Sequence, residues 1–151
     1  MHIKTQQASP ADLELILPLV GAYHAFEHIE STESDRESAV RTLLASPAFG
    51  GIWLIYCADE LAGYIALCLG YSIEFNGFDA FVDEFYLASE FRGKGVGTQV
   101  LEIIKREARR FNVKALHLEV ARDNTSARRL YGKAGFESRE KYTLMSVTLP
   151  E

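Results

Sequence analysis

The dipeptide Asn76-Gly77 constrains the fold of this 151-residue chain more than any other pair of neighbours. It stands between two β-rich runs, Leu61 to Tyr71 and Phe78 to Leu87. Asn-Gly favours a type I′ turn, because both central residues of that turn take positive φ. The two runs therefore read as one long antiparallel hairpin. With a two-residue turn, Phe75 faces Phe78 and Leu69 lies opposite Glu84, with Tyr71 diagonally beside Glu84 on the same face. The hairpin thus carries an acidic residue into the middle of a sheet.

The remaining elements follow from periodicity and punctuation. Ile3 to Ala8 reads as a short strand. Ser9-Pro10-Ala11-Asp12 then opens a helix, with Ser9 as cap, Pro10 in the first turn and Asp12 near the positive end of the dipole. Leu13, Ile16, Leu17 and Val20 form its apolar stripe. A second helix is expected from Ser34, with Glu37 completing a capping box and Ala39, Val40, Leu43 and Leu44 inward. Trp53 to Ala58 and Leu61 to Tyr71 are strands joined by a turn at Asp59-Glu60. A long helix from about Gly97 to Phe111 turns Val100, Ile103, Ile104, Ala108 and Phe111 inward and Lys105, Arg106, Arg109 and Arg110 to solvent. A strand at Ala115 to Val120, a short helix from Ser126 to Lys133 ended by Gly135, and a last strand at Thr143 to Leu149 complete the chain. The order β-α-α-β-β-β-α-β-α-β predicts one α/β (α+β) domain over residues 1–151, with a mixed, mostly antiparallel central sheet flanked by helices.

Composition narrows the setting. A net charge of −5 argues against general nucleic-acid binding and favours a cationic or amine-bearing substrate. No apolar run is long enough to span a bilayer. The N-terminus has Lys4 but no apolar stretch behind it, so a secretory signal is not expected. Cys57 and Cys68 both lie in apolar strand-like runs and read as small buried hydrophobes. A reducing, cytoplasmic location is the expectation.

The chemistry concentrates at Arg92-Gly93-Lys94-Gly95-Val96-Gly97, which leads from a strand ending Phe85-Tyr86-Leu87 into the long helix. Three glycines in five residues at a helix start present backbone N–H groups with no Cβ in the way. Those donors and the helix dipole make an anion site suited to a pyrophosphate. The dinucleotide pattern G-x-G-x-x-G would require glycine at Thr98, and the P-loop ending G-K-[ST] is absent.

The loop resembles that of the GCN5-related N-acetyltransferases, Q/R-x-x-G-x-G/A, at Arg92, Gly95 and Gly97. Asn124, Ala127, Tyr131, Gly135 and Phe136 are similar to that family's N-x-x-A-x-x-x-Y…GF signature. The resemblance runs from about Trp53 to Phe136, and Ser89 stands where many members have proline. It implies a GNAT-like acyl-CoA N-acyltransferase fold with acetyl-CoA as cosubstrate. Phe85 and Leu87 would offer backbone groups to the pantetheine arm. Arg92, Gly93, Lys94, Gly95, Val96, Gly97 and Thr98 would hold the pyrophosphate through main-chain N–H groups. Asn124 would bond the arm's amide end, with Tyr131 near the thioester sulfur as proton donor to the departing thiolate. The segment between the first two helices would shape the acceptor pocket, giving Tyr23, Glu27 and His28 a substrate role together with Tyr71. Dimers are common in the family, and the Leu61–Leu87 hairpin would contribute to an interface in a homodimer.

The reaction also needs a base. An aliphatic amine is about 99.9% protonated at pH 7, and freeing its lone pair costs roughly 4.6 kcal/mol. Glu84, on the strand bordering the cofactor, and Glu119, five residues before Asn124, are the two candidates. Two other readings remain open. A noncatalytic acyl-CoA sensor would use the same loop without ionisable groups beside the thioester. His24-Ala25-Phe26-Glu27-His28 matches the H-x-x-E-H zinc-hydrolase pattern, if both histidines share one helical face. Against that third reading, the cofactor framework already accounts for most of the chain. The expectation is no metal.

Overall fold

A computed structural model describes all 151 residues. Five strands form one open sheet in the order β1 (Ile3–Gln7), β2 (Gly50–Cys57), β3 (Glu60–Ser72), β4 (Gly77–Leu87), β5 (Val113–His117). Every pairing is antiparallel except β4 with β5. The helices α1 (Leu13–Phe26) and α2 (Glu33–Ala45) cover one face. On the other face lie α3 (Val96–Arg110) and α4 (Thr125–Lys133). No helix is long and apolar enough to cross a membrane.

Helices on both faces explain why β2 and β3 are apolar at consecutive positions rather than at alternate ones. Along β2, Ile52 and Leu54 pack under α1 and α2, while Trp53 and Ile55 pack under α3. On β3, Tyr64 and Ala66 face the first pair of helices, and Ile65 and Leu67 face α3. Trp53 closes the α3 side with an edge-to-face contact on Phe111 at 6.0 Å. Cys57 is buried and Cys68 half-buried, and both are free thiols.

Local chemistry moves several element boundaries. The cap of α2 is Thr32, whose hydroxyl accepts from the Asp35 N–H, so Glu37 is free to pair with Arg41 one turn on. Ala39, expected inward, is solvent-facing, while Val40 and Leu44 are buried. The β2–β3 turn falls at Ala58-Asp59, both at positive φ, one residue earlier than expected. The segment Thr143–Leu149 is not a strand in this chain: nothing from residue 143 onward makes a backbone–backbone hydrogen bond.

The register of the β3–β4 hairpin differs most. The turn has four residues, Ile73 to Asn76, closed by the pair Ser72 and Gly77. The Ser72 hydroxyl accepts from the Phe75 N–H, a side-chain turn that the Asn-Gly signal alone does not reveal. Further along, Ala66 pairs with Glu84 and Leu67 with Val82, so Asp83 is an inserted bulge residue. The longer turn and the bulge together place Ala66, not Leu69, opposite Glu84. Tyr71 instead pairs with Phe78, six positions along β4 from Glu84.

Candidate active site

The site begins where β4 and β5 part. Their parallel pairing ends at Phe81 with His117, and beyond it Leu118, Glu119 and Val120 make no backbone–backbone hydrogen bond. The opening holds a cavity of about 430 Å3. Its walls include Tyr23 and Glu27 from the end of α1, Asp83 and Phe85 from β4, Glu119 after β5, and Asn124 and Tyr131 from α4 and its cap.

Backbone alternation equips the β4 wall. The Ala88 N–H bonds to the Ala62 carbonyl, so the intervening pairs Gly63–Leu87 and Ile65–Phe85 are non-hydrogen-bonded. Phe85 and Leu87 therefore turn their polar backbone groups away from β3 and toward the opening. One is already used: the Leu87 carbonyl accepts from Arg92 Nε at 2.7 Å. The Arg92 guanidinium also stacks over Phe26 at 4.5 Å and Tyr86 at 5.5 Å, which ties the loop to the end of α1.

The glycine loop supplies the donors. Six consecutive N–H groups, Gly93 to Thr98, have no backbone acceptor, whereas the Arg92 N–H is taken by Ser89. Gly93 and Gly95 have φ of +72° and +80°, and a Cβ built on either meets nothing within 4 Å. Space beside both residues is therefore open to a ligand, next to the positive end of the fifteen-residue α3. Gly97 has a different reason to be glycine, since its Cβ would lie 3.0 Å from Leu130 on α4. The Asn124 side-chain oxygen caps α4 by accepting from the Ala127 N–H, which leaves its amide nitrogen as the group available to the cavity.

Tyr131 packs edge-to-face on Phe136 at 5.9 Å. Burial, with the nearby Glu27 carboxylate adding to it, raises the pKa of its hydroxyl, so the group carries its proton at neutral pH. Burial also raises the pKa of Tyr23, helped by Glu27 and Glu84. Glu119 is exposed and lies on the same cavity wall as Tyr131.

Glu84 sits differently. Its side chain is 19% exposed and belongs to the α1 side of the sheet, off the cavity wall. One carboxylate oxygen accepts from the Tyr64 hydroxyl at 2.8 Å and the other meets His24 Nε2 at 2.6 Å. His24 Nδ1 lies 2.8 Å from the Ser31 hydroxyl, which accepts from Arg36. Ordering these bonds from donor to acceptor puts the His24 proton on Nε2 and has Ser31 donate to Nδ1. The whole chain of donors then points at Glu84.

The sequence profile of the Acetyltransferase (GNAT) family matches residues 19–136. The chain belongs to that family. It is 25% identical over 140 residues to spermine/spermidine N(1)-acetyltransferase of Bacillus subtilis, covering 91% of this chain and 89% of that protein. Two shorter matches to Bacillus subtilis N-acetyltransferases span only 20% and 38% of those proteins' lengths. An integron cassette protein from the mobile metagenome of Cole Harbour Salt Marsh superposes with a TM-score of 0.84 at 30% identity, over 97% of this chain and 91% of that one. A predicted acetyltransferase from Clostridium acetobutylicum, solved with acetyl-CoA, shares the fold at a TM-score of 0.77 and 17% identity, over 96% of each chain.

Within this GNAT fold the expected residues divide. Tyr23, Glu27, Phe85, Glu119, Asn124 and Tyr131 meet at one cavity. His28 does not: α1 ends at Phe26, and His28 has a left-handed backbone beyond the helix end. It shares no helical face with His24, so the H-x-x-E-H spacing has lost its metal-binding geometry. No group of three or more His, Cys, Asp or Glu side chains is placed to hold a metal ion. Tyr71 stands apart as well, on the exposed end of the hairpin. Sequence reasoning missed Asp83, because a bulge has no sequence signature of its own. It also missed the roles of His24 and Tyr64, whose partner Glu84 lies 60 and 20 residues away.

Proposed function

We propose that this GNAT chain binds acetyl-CoA in the opening between β4 and β5 and transfers the acetyl group to a primary amine. The reaction is direct attack within a ternary complex. The observation that carries this reading is one cavity with two neighbours. It holds an exposed carboxylate, Glu119, and a protonated phenol, Tyr131, and Leu130, next to Tyr131 on α4, packs on Gly97 in the row of six free N–H groups. Acetyl-CoA supplies an activated acyl carbon and a pyrophosphate whose charge matches that row.

Glu119 removes the amine proton, and the freed lone pair forms the N–C bond as the C–S bond breaks. The Leu87 N–H, turned into the opening, stabilises the negative charge that develops on the acetyl oxygen. Tyr131 gives its proton to the departing thiolate, and the second proton that the acetylated nitrogen sheds on becoming an amide restores the Tyr131 hydroxyl. Geometry favours Glu119 over Glu84 as base, because both Glu84 oxygens are engaged and its side chain lies off the cavity wall. Glu84 instead holds the end of α1, and with it Tyr23 and Glu27, against the sheet.

Glu27, Asp83 and Glu119 surround the cavity with carboxylates. That arrangement favours an acceptor with more than one positive charge over a neutral peptide. The relatives' named acceptors, spermine and spermidine, have that character. The test is release of free CoA thiol from acetyl-CoA across spermidine, an aminoglycoside, free amino acids and a peptide N-terminus. Polycations should turn over fastest. Binding of acetyl-CoA without thiol release for any amine would replace the enzyme by a sensor.

A further inference from the structure

Two walls of the active-site cavity belong to elements that are joined by a single polar bond. Tyr23 and Glu27 reach the cavity from the end of α1, and Asp83 and Phe85 reach it from β4. Their sequence neighbours His24 and Glu84 stay off the cavity and meet at 2.6 Å. Both side chains are largely buried, at 14% and 19% exposure. The bulge at Asp83 makes this meeting possible. Val82 faces α3 and Glu84 faces α1, whereas an unbroken strand would put both on one side. Without the inserted residue Glu84 could not meet His24.

The bond is held from behind on both sides. Arg36 donates to the carbonyl and the hydroxyl of Ser31, and the Ser31 hydroxyl donates to His24 Nδ1. That fixes the tautomer whose Nε2–H is aimed at Glu84. The second Glu84 oxygen accepts from Tyr64, and the Tyr23 ring stands edge-on against Tyr64 and Tyr86 at 6.3 and 6.2 Å. The cavity itself is differently equipped. None of its lining residues is basic, so Glu27 on α1 and Asp83 on β4 keep their charges for a ligand. Burial first, and then the charges of Glu27, Glu84 and Asp83, raise the pKa of the Tyr23 hydroxyl. Carboxylates from both walls therefore lie within electrostatic reach of one group. Because they ride on different elements, their separation depends on how α1 sits against β4.

We infer, resting on the acetyl transfer proposed above, that His24 is a positioning residue that selects the acceptor by length. Through Glu84 it fixes the gap between Glu27 and Asp83, which together hold the second ammonium of a linear diamine or polyamine. The reacting amine sits at Glu119, so the fixed gap sets the spacing between the two nitrogens that fits. His24 itself touches no substrate. It lies one helical turn before Glu27, and its partner Glu84 adjoins Asp83, so the bond acts directly on both carboxylates. With that bond broken, a single amine still binds at Glu119, but chains of different length are no longer told apart.

The readout is kcat/KM for CoA thiol release across linear diamines from diaminopropane to diaminooctane, with butylamine as the single-charge control. The wild type should show a maximum at one chain length. His24→Phe keeps a ring but cannot donate to Glu84. It should raise KM for the best diamine about 10–100-fold and flatten the profile, with kcat, butylamine turnover and acetyl-CoA affinity within about 3-fold of wild type. His24→Gln keeps an N–H for Glu84 and should restore the maximum. A general loosening of the fold would instead move all of these quantities together. If His24→Phe does not fold, Tyr64→Phe, which withdraws the other donor to Glu84, must flatten the profile in the same sense. A wild type indifferent to length, a maximum that survives His24→Phe, a Gln variant as flat as the Phe variant, or losses shared equally by butylamine and acetyl-CoA would overturn the inference. No thiol release from the wild type with any amine would instead remove the proposed transfer. The same length profile is then read from diamine binding by calorimetry, with the same outcomes deciding.

Discussion

Replacing Gly95 by aspartate separates the anion cradle from the fold that supports it. The residue precedes α3 at φ +80°, and an added Cβ meets no atom within 4 Å. The steric cost in the free protein is therefore limited to a left-handed backbone, about 1–2 kcal/mol for an L residue and less for aspartate. A carboxylate at a helix N-terminus returns about 0.3–1 kcal/mol through the dipole. The free variant should melt within a few degrees of the wild type, at about 2–4 °C per kcal/mol for a chain this size. Bound acetyl-CoA meets a different situation. Two like charges about 4 Å apart repel by about 1 kcal/mol in water and about 4 kcal/mol at a surface-like dielectric of about 20. A middle value of about 2 kcal/mol weakens binding about 30-fold. At acetyl-CoA 100 times the wild-type Kd, linkage stabilises the wild type by about 2.7 kcal/mol and the variant by about 0.9 kcal/mol. Thermal melting of both proteins with and without acetyl-CoA reads the difference directly. A variant that keeps the full wild-type shift would remove the pyrophosphate from this loop.

Other perturbations test the chemistry. Tyr131→Phe keeps the ring on Phe136 and should lower kcat about 10–1000-fold with acetyl-CoA affinity nearly unchanged; wild-type kcat would leave solvent as the acid. Glu119→Gln should depress kcat/KM at neutral pH by about 100-fold or more and recover as pH rises and free amine accumulates. Glu84→Gln should act less on rate and more on stability, costing about 1–3 kcal/mol in urea unfolding as the bonds from Tyr64 and His24 weaken. The opposite order in the two pH–rate profiles would make Glu84 the base. Burial, with Asp83 and Glu84 nearby, pushes the Cys68 thiol up to about 11. Its alkylation by iodoacetamide in the folded protein should therefore keep accelerating from pH 8 toward 11, and a plateau near pH 9 would contradict that environment.

The glycine loop, the Asn124-to-Phe136 signature and the helical stripes of α1 and α3 were legible in the sequence. Each is a short-range pattern whose chemistry depends on residues within a few turns. Backbone donors at a helix start need only glycines and the helix behind them, so the free N–H groups ahead of α3 could be expected from Gly93 and Gly95. The same holds for the core: Ile16, Val20, Val100, Ile104 and Ala108 are buried where 3.6-residue spacing put them.

Tertiary structure decided what depends on registration between distant segments. A four-residue turn closed by Ser72 and a bulge at Asp83 shift the hairpin by three positions at Glu84, which takes Tyr71 away from it. Glu84 was visible as a carboxylate in a strand, but its partners are 60 and 20 residues away, and no local pattern encodes such pairs. The apolar alternation of residues 143–149 is that of a strand, yet a strand needs an edge to bond to. Sequence determines which segments want to be buried and which backbone groups are exposed at a helix start. Only the folded chain decides which edge, cavity or partner receives them, because side-chain period is local whereas register is set by the turns and bulges between strands.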